Sequence, residues 1–230
     1  MTRESHASPP ADVIVECDAV LFDMDGTLVD SRQIVERMWL LWATEHGLRP
    51  EDVLAVAHGR RTLETMALVA PELATAEEAA RLDAIEATQE GGEQAVPGAV
   101  TLLADLPAGR WAIVTSASRA IAAARLTAVR LPLPRIMVCA EDVAAGKPAP
   151  DGYLRAAAQL DADPSRCVVV EDTPAGVQAG RAAGAFVVGL RTTYASLEAC
   201  DVVLEDLRDI RVATPSNGII RLQIRASHPS

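Results

Sequence analysis

The stretch "LFDMDGTLVDS", residues 21–31, passes from apolar residues directly into Asp23, Asp25 and Asp30. Its apolar half belongs to "AVLFD" (19–23), a short run that ends in a carboxylate. Residues i and i+2 of an extended segment project to the same side, so Asp23 and Asp25 are expected to face one pocket. Four similar runs follow: "WAIVTS" (111–116), "RIMVCA" (135–140), "CVVVED" (167–172) and "AFVVGL" (185–190). Most are continuous rather than alternating, as in strands buried on both faces. Ala-rich helical stretches such as "RAIAAARLTAV" and "DGYLRAAAQLD" lie between them. This alternation predicts an α/β fold built on a doubly wound parallel sheet.

Residues 32 to about 95 interrupt the alternation with four helix-like segments and no comparable β run. In the first, Ile34, Met38, Leu41 and Trp42 follow the i, i+4, i+7, i+8 spacing of one apolar face, and Gly47 sits where a C-terminal cap belongs. The expected organisation is an α/β core of residues 1–30 and 97–230 with a helical insertion at 31–96. The tail "TPSNGIIRLQI" carries an Asn-Gly turn signal and alternating apolar residues, which predicts a peripheral hairpin or edge strand. Gly176, Gly180 and Gly184 recur at intervals of four, a small-residue stripe suited to close helix-to-sheet packing.

Composition removes several classes of function. A chain of 230 residues that is 50% hydrophobic and 23% charged is globular rather than disordered. A net charge of -11 opposes a nucleic-acid surface, and three Trp, two Tyr and two Phe leave little for stacking bases. No apolar run approaches the roughly 18 residues of a membrane span. Cys17, Cys139, Cys167 and Cys200 are far apart, with neither CxxC nor Cys/His spacing. They read as reduced core thiols, and a cytoplasmic location is the expectation. His6, His46 and His228 are expected as surface or capping residues.

In open α/β sheets the site lies outside the carboxyl ends of the strands. The first run ends in Asp23, Asp25, Gly26 and Thr27, the second in Thr115 and Ser116, and the fourth in Glu171 and Asp172; Gly146 and Lys147 follow the third. An oxygen-only acid cluster suits a hard ion such as Mg²⁺. Gly26 would let a backbone N–H approach an oxyanion, Lys147 would supply a point charge, and Ser116 a neutral donor, with Thr115 and Ser118 competing for that role. An EF-hand reading fails, because Leu28 and Ile34 would stand where Gly and a bidentate Glu are needed.

"DMDGT", "VTSAS", "GKPAP" and "VVVEDTPAG", in that order, resemble the four signature segments of the haloacid dehalogenase-like phosphohydrolase superfamily, and the insertion resembles its small helical cap. Within it, "WAIVTSAS", "GKPAPDGYL" and "VVVEDTPAGVQAGRAAGA" look most like the sugar and polyol phosphatase group. The resemblance implies a Rossmann-like core and Mg²⁺-dependent hydrolysis of small sugar or polyol phosphates through an aspartyl phosphate. It makes Asp23 the nucleophile and Asp25 the acid/base. It places Mg²⁺ on the carboxylates of Asp23 and Asp172 and the backbone carbonyl of Asp25, with Glu171 as the neighbouring acid. Gly26, Thr27, Ser116, Ala117 and Lys147 are implied to hold the phosphate.

A phosphosugar mutase related to β-phosphoglucomutase is the main alternative, but it resembles a pattern with a histidine on the first cap helix, which "SRQIVERMWLLW" lacks. A non-catalytic module that binds a phosphometabolite is the alternative from another class. The expected partner is a small phosphorylated metabolite, with no nucleic acid or membrane, and the chain is expected to be a monomer. Substrate choice is assigned to "AHGRRT" (57–62), where Gly59 permits a tight turn and His58 and Arg60 can reach substrate hydroxyls.

Overall fold

A computed structural model of the protein describes residues 12–88, 91–213 and 219–225. Strand β1 (Val13–Cys17) is followed across Asp18 by β2 (Ala19–Phe22), whose four residues are all buried. Beyond the acidic turn, β3 (Val29–Asp30) leads into helices α1 (Arg32–Glu45), α2 (Pro50–Ala57), α3 (Thr62–Val69) and α4 (Ala76–Ala87). The chain returns through β4 (Gln94–Ala95) to α5 (Ala99–Asp105), β5 (Trp111–Val114), α6 (Arg119–Ala128) and β6 (Met137–Val138). Then come α7 (Asp151–Gln159), β7 (Cys167–Glu171), α8 (Pro174–Ala182), β8 (Phe186–Leu190), β9 (Val202–Leu204), β10 (Ile210–Ala213) and β11 (Ile220–Ile224).

Six strands form a sheet in the order β6-β5-β2-β7-β8-β9, every pairing parallel. From β2 the chain builds outward to β5 and β6, then crosses back to β7 on the other side. The carboxyl ends of β2, β5 and β7 therefore meet where a doubly wound sheet opens its crevice. Alternate residues of β2 serve opposite faces: Val20 and Phe22 join one core with Ile113 and Leu126, while Ala19 and Leu21 join another with Tyr153 and Val177.

The helical insertion leaves through β3 and returns through β4, which pair antiparallel as a short neck (Val29↔Ala95, Asp30↔Gln94). Its helices bury an apolar cluster of their own around Met38, Trp42, Val53, Met66 and Leu82. The apolar face of α1 differs from the expected one: Trp39 is buried and Leu41 is 58% exposed. Gly47 does end α1, in a Schellman arrangement with its N–H on Thr44 O and that of Leu48 on Ala43 O. His46 caps the helix as expected, whereas His6 and His228 lie outside the described residues.

The tail forms the expected peripheral hairpin, β10 pairing antiparallel with β11, but β11 is not an edge strand. Strand β11 lies in the middle of a three-stranded antiparallel sheet, between β1 and β10, and turns Ile220, Leu222 and Ile224 inward. The Asn217-Gly218 turn signal lies outside the described residues. Of the glycine stripe, Gly176 and Gly180 sit against the sheet, but Gly184 lies beyond the end of α8 with open space around it. Among the described residues no helix is long and apolar enough to cross a membrane.

Candidate active site

The acid loop is fixed by backbone bonds. Asp23 donates its N–H to Val170 O at 3.0 Å, tying the end of β2 to β7, and Met24 O accepts from the N–H groups of both Leu28 and Val29. Gly26 stands at φ +79°, and a Cβ there would lie 2.0 Å from Asp172 Oδ2. Glycine is thus required both by the backbone conformation and by the approach of the second acidic loop.

Four charged groups meet beneath this loop. Lys147, 5% exposed, donates to Asp23 Oδ1 and, at 2.6 Å, to Glu171 Oε1. Tyr153 donates its hydroxyl to the same Glu171 oxygen at 2.9 Å. Burial, reinforced by the charges of Glu171 and Asp25 and opposed by Lys147, pushes the Asp23 carboxyl up to about 7. Burial and the charges of Asp23 and Glu171 likewise hold Asp172 well above the usual carboxylate range. Burial alone would lower the Lys147 ammonium, but Asp23 and Glu171 raise it. Fully ionised, the three buried carboxylates would leave two negative charges unmatched by the one ammonium, and the raised Asp23 and Asp172 carboxyls reflect that repulsion.

That imbalance fits a divalent cation. Asp23, Glu171 and Asp172 each offer a carboxylate oxygen within 4.8 Å of the others. Oδ2 of Asp172 is buried without a hydrogen-bond partner among the described residues. Oxygen donors of this kind suit Mg²⁺. The three acids are not equivalent, however. Both Glu171 oxygens are occupied, Oε1 by Lys147 and Tyr153, Oε2 by the N–H groups of Asp172 and Thr173 and by Thr173 Oγ1. Glu171 lies in the acid cluster as the neighbouring acid expected there, and its own hydrogen bonds make it the anchor of Lys147.

The residues expected at the phosphate are also redistributed. Thr27 is fully buried and donates to Asp172 Oδ1 at 3.1 Å, so it orients an acid and does not face the cleft. The N–H of Gly26 is taken by Val29 O at 2.7 Å, and that of Ala117 donates to Thr115 Oγ1 at 3.1 Å. Ser116 and Ala117 do line the cleft, together with Asp23, Asp25, Gly26, Asp172, His58, Gly59 and Arg60. Ser118, a competitor for the Ser116 role, instead caps α6.

The insertion touches the core at this cleft. Ser116 Oγ donates to Gly59 O at 2.9 Å, and a Cβ on Gly59 would lie 2.4 Å from Thr173 Oγ1. His58 is 3.7 Å from Glu36 and sets its ring edge-on to Tyr194, and burial lowers its imidazole. Arg60 borders the cleft, but the docking residue is its neighbour: Arg61 donates to Val143 O and Ala144 O, while Glu64 accepts from the Gly146 N–H at 3.1 Å. The insertion thereby grips the loop that presents Lys147.

Several residues at the site carry no sequence signal of their own. Asp25 Oδ1 accepts from Ser31 Oγ at 2.6 Å and from Arg125 Nη1 at 2.6 Å. Arg125 also donates to Glu86 on α4. Burial most of all, against the pull of Arg125, pushes the Glu86 carboxyl up to about 6. Nothing in "RAIAAARLTA" marks Arg125 apart from being a charge within an otherwise apolar helix face.

A family model for haloacid dehalogenase-like hydrolases matches residues 17–184. Hexitol phosphatase A of Escherichia coli is 45% identical over 216 residues, covering 91% of this chain and 100% of that protein. Glycerol-1-phosphate phosphohydrolase 2 of Saccharomyces cerevisiae is 34% identical, with 86% of each chain covered. The crystal structure of a hydrolase from Pseudomonas syringae superposes with a TM-score of 0.72 at 29% identity, over 83% of this chain and 94% of that one.

Proposed function

From the premise that the chain belongs to the haloacid dehalogenase-like hydrolases and is a phosphoric monoester hydrolase, we propose that it hydrolyses small sugar or polyol phosphates with Mg²⁺ through an aspartyl phosphate. The observation that carries this reading is the buried set of Asp23, Lys147 and Asp172, with Oδ2 of Asp172 left unpartnered. The relatives named for hexitol and glycerol-1-phosphate support the substrate class.

Asp23 attacks phosphorus in line with the departing oxygen and is phosphorylated to an aspartyl phosphate as the P–O bond to the alcohol breaks. Asp25 gives its proton to the leaving alkoxide and then takes one from the water that cleaves the aspartyl phosphate. Lys147 and Ser116 hold phosphoryl oxygens as charge redistributes. Asp23, Asp172 and the backbone carbonyl of Asp25 would hold Mg²⁺, which supplies the charge neutralisation that lets a dianionic ester approach a carboxylate. Residues 31–96 act as the cap, and His58, Gly59 and Arg60 border the space left for the alcohol. The mutase pattern carries a histidine on the first cap helix, and Arg32–Glu45 contains none.

The test is phosphate release from a panel of phosphorylated hexitols, hexoses and glycerol. Turnover is expected to stop with EDTA, return with Mg²⁺ and vanish in Asp23→Asn. Activity retained in Asp23→Asn overturns the nucleophile assignment. Isomer interconversion with a bisphosphate, without net phosphate release, overturns hydrolysis.

A further inference from the structure

We propose that Arg125 is a positioning residue for the acid/base, holding the Asp25 carboxylate in place and linking that placement to the cap through Glu86. The inference rests on the reading of Asp25 as the group that protonates the leaving alkoxide. Arg125 lies on α6, the helix that follows the phosphate-side loop of β5, and its side chain is 5% exposed. One arm of the guanidinium donates to Asp25 Oδ1 at 2.6 Å and the other to Glu86 on α4. Its partner Asp25 is 27% exposed at the cleft, and Glu86 is 8% exposed.

Burying a guanidinium is costly unless anions satisfy it. Here the two anions come from different parts of the chain, the acid loop and the cap. Among the described residues, hydrogen bonds reach only Oδ1 of Asp25, from Arg125 and Ser31. With Oδ1 held twice, the carboxylate rotamer is fixed and Oδ2 remains for proton exchange. A planar fork can hold two separated anions at once, whereas the point charge of lysine holds one well. The coupling runs from cap to acid: α4 must be seated for Arg125 to be satisfied at both ends.

The discriminating observable is leaving-group dependence. An alkoxide must be protonated as it departs, whereas 4-nitrophenolate leaves without a proton. The quantity kcat/KM reports the steps through departure of the alcohol, so later hydrolysis of the aspartyl phosphate does not obscure it. A positioned general acid is worth about 10²–10⁴-fold, so Arg125→Lys is expected to lower kcat/KM for an alkyl phosphate such as a hexitol phosphate by about 100-fold, with a loss at least about tenfold smaller for 4-nitrophenyl phosphate. Asp25→Asn should show the same selectivity, more strongly. Glu86→Gln, which keeps the shape of the side chain, should reproduce the pattern at lower amplitude, and it serves as the second variant if Arg125→Lys unfolds.

Equal losses on both esters, or an Arg125→Lys enzyme that matches the wild type on the alkyl ester, overturn the role of Arg125 while leaving the phosphatase reading intact. A wild-type protein that releases phosphate from neither ester overturns the phosphatase reading, and this inference with it.

Discussion

Replacing Gly176 with alanine drives a methyl group into the Glu171 carboxylate: the new Cβ would lie 1.6 Å from Oε1, 1.9 Å from Cδ and 2.3 Å from Oε2. Reaching the 3.4 Å where ordinary contact begins requires a movement of about 1.5 Å at Cδ. The carboxylate has no easy way to move, because it accepts from Lys147, Tyr153, the N–H groups of Asp172 and Thr173, and Thr173 Oγ1. Breaking the buried Lys147–Glu171 pair costs about 3–5 kcal/mol, and the better helix propensity of alanine returns at most about 1 kcal/mol. The net loss is about 2–4 kcal/mol, a fall of roughly 5–15 °C in Tm for a chain of this size. Lys147 should move with Glu171, so phosphate release should fall as well. Gly180→Ala is the control: its Cβ meets Val169 at 2.9 Å and Val187 at 3.1 Å, which costs about 1–3 kcal/mol of overpacking and leaves the acids alone. A Gly176→Ala protein with wild-type Tm and turnover refutes the claim that Glu171 is locked in place.

Two other perturbations probe separate parts of the molecule. Thr27→Val keeps the shape of the side chain but removes the donor to Asp172 Oδ1, so the Mg²⁺ concentration for half-maximal activity should rise about 10–100-fold with little change in kcat at saturation; a raised KM for the ester with an unchanged Mg²⁺ midpoint would return Thr27 to the phosphate. In the cap, hydrogen bonds led by those from Arg81 hold the Glu78 carboxyl down from 4.5 to about 2. Its stabilisation is therefore complete above pH 4.5 and is lost as pH falls toward 2. Because Arg81 is 40% exposed, screening reduces the effect to about 1 kcal/mol, read as the extra acid-side drop in urea midpoint of the wild type over Glu78→Gln. Identical pH slopes would contradict it.

Five of the six strands of the main sheet were legible because strands covered on both faces appear as uninterrupted apolar runs, and the order of the strand-end residues located the crevice. The division of labour between Glu171 and Asp172 was not legible. Neighbouring residues at a strand end project to opposite sides, so one acid turns toward Tyr153 and α8 and the other toward the cleft, a distinction that adjacent letters conceal. Thr27 was misplaced for a related reason, because the tight turn at Gly26 carries it beneath Asp172. Arg125, Tyr153, Arg61 and Glu64 act through contacts between distant segments, which leave no local periodicity. The face of α1 shifted from Leu41 to Trp39 because both fit helical spacing, and Trp39 packs edge-on against Trp42. Strand β1 was hidden by continuity with β2, and β9 is only three residues long.

The hydrogen bond from Ser116 to Gly59 has a consequence for the order of events. A hydroxyl carries a single proton to donate, and here Gly59 O in the cap accepts it. If a phosphoryl oxygen recruits Ser116 as proposed, the hydroxyl must turn away from Gly59 O, so arrival of the ester would loosen one clasp between insertion and core. With Ser116 assigned to the phosphate as proposed, ester and insertion would compete for one hydroxyl, because the group that joins insertion to core is the one that would receive the substrate.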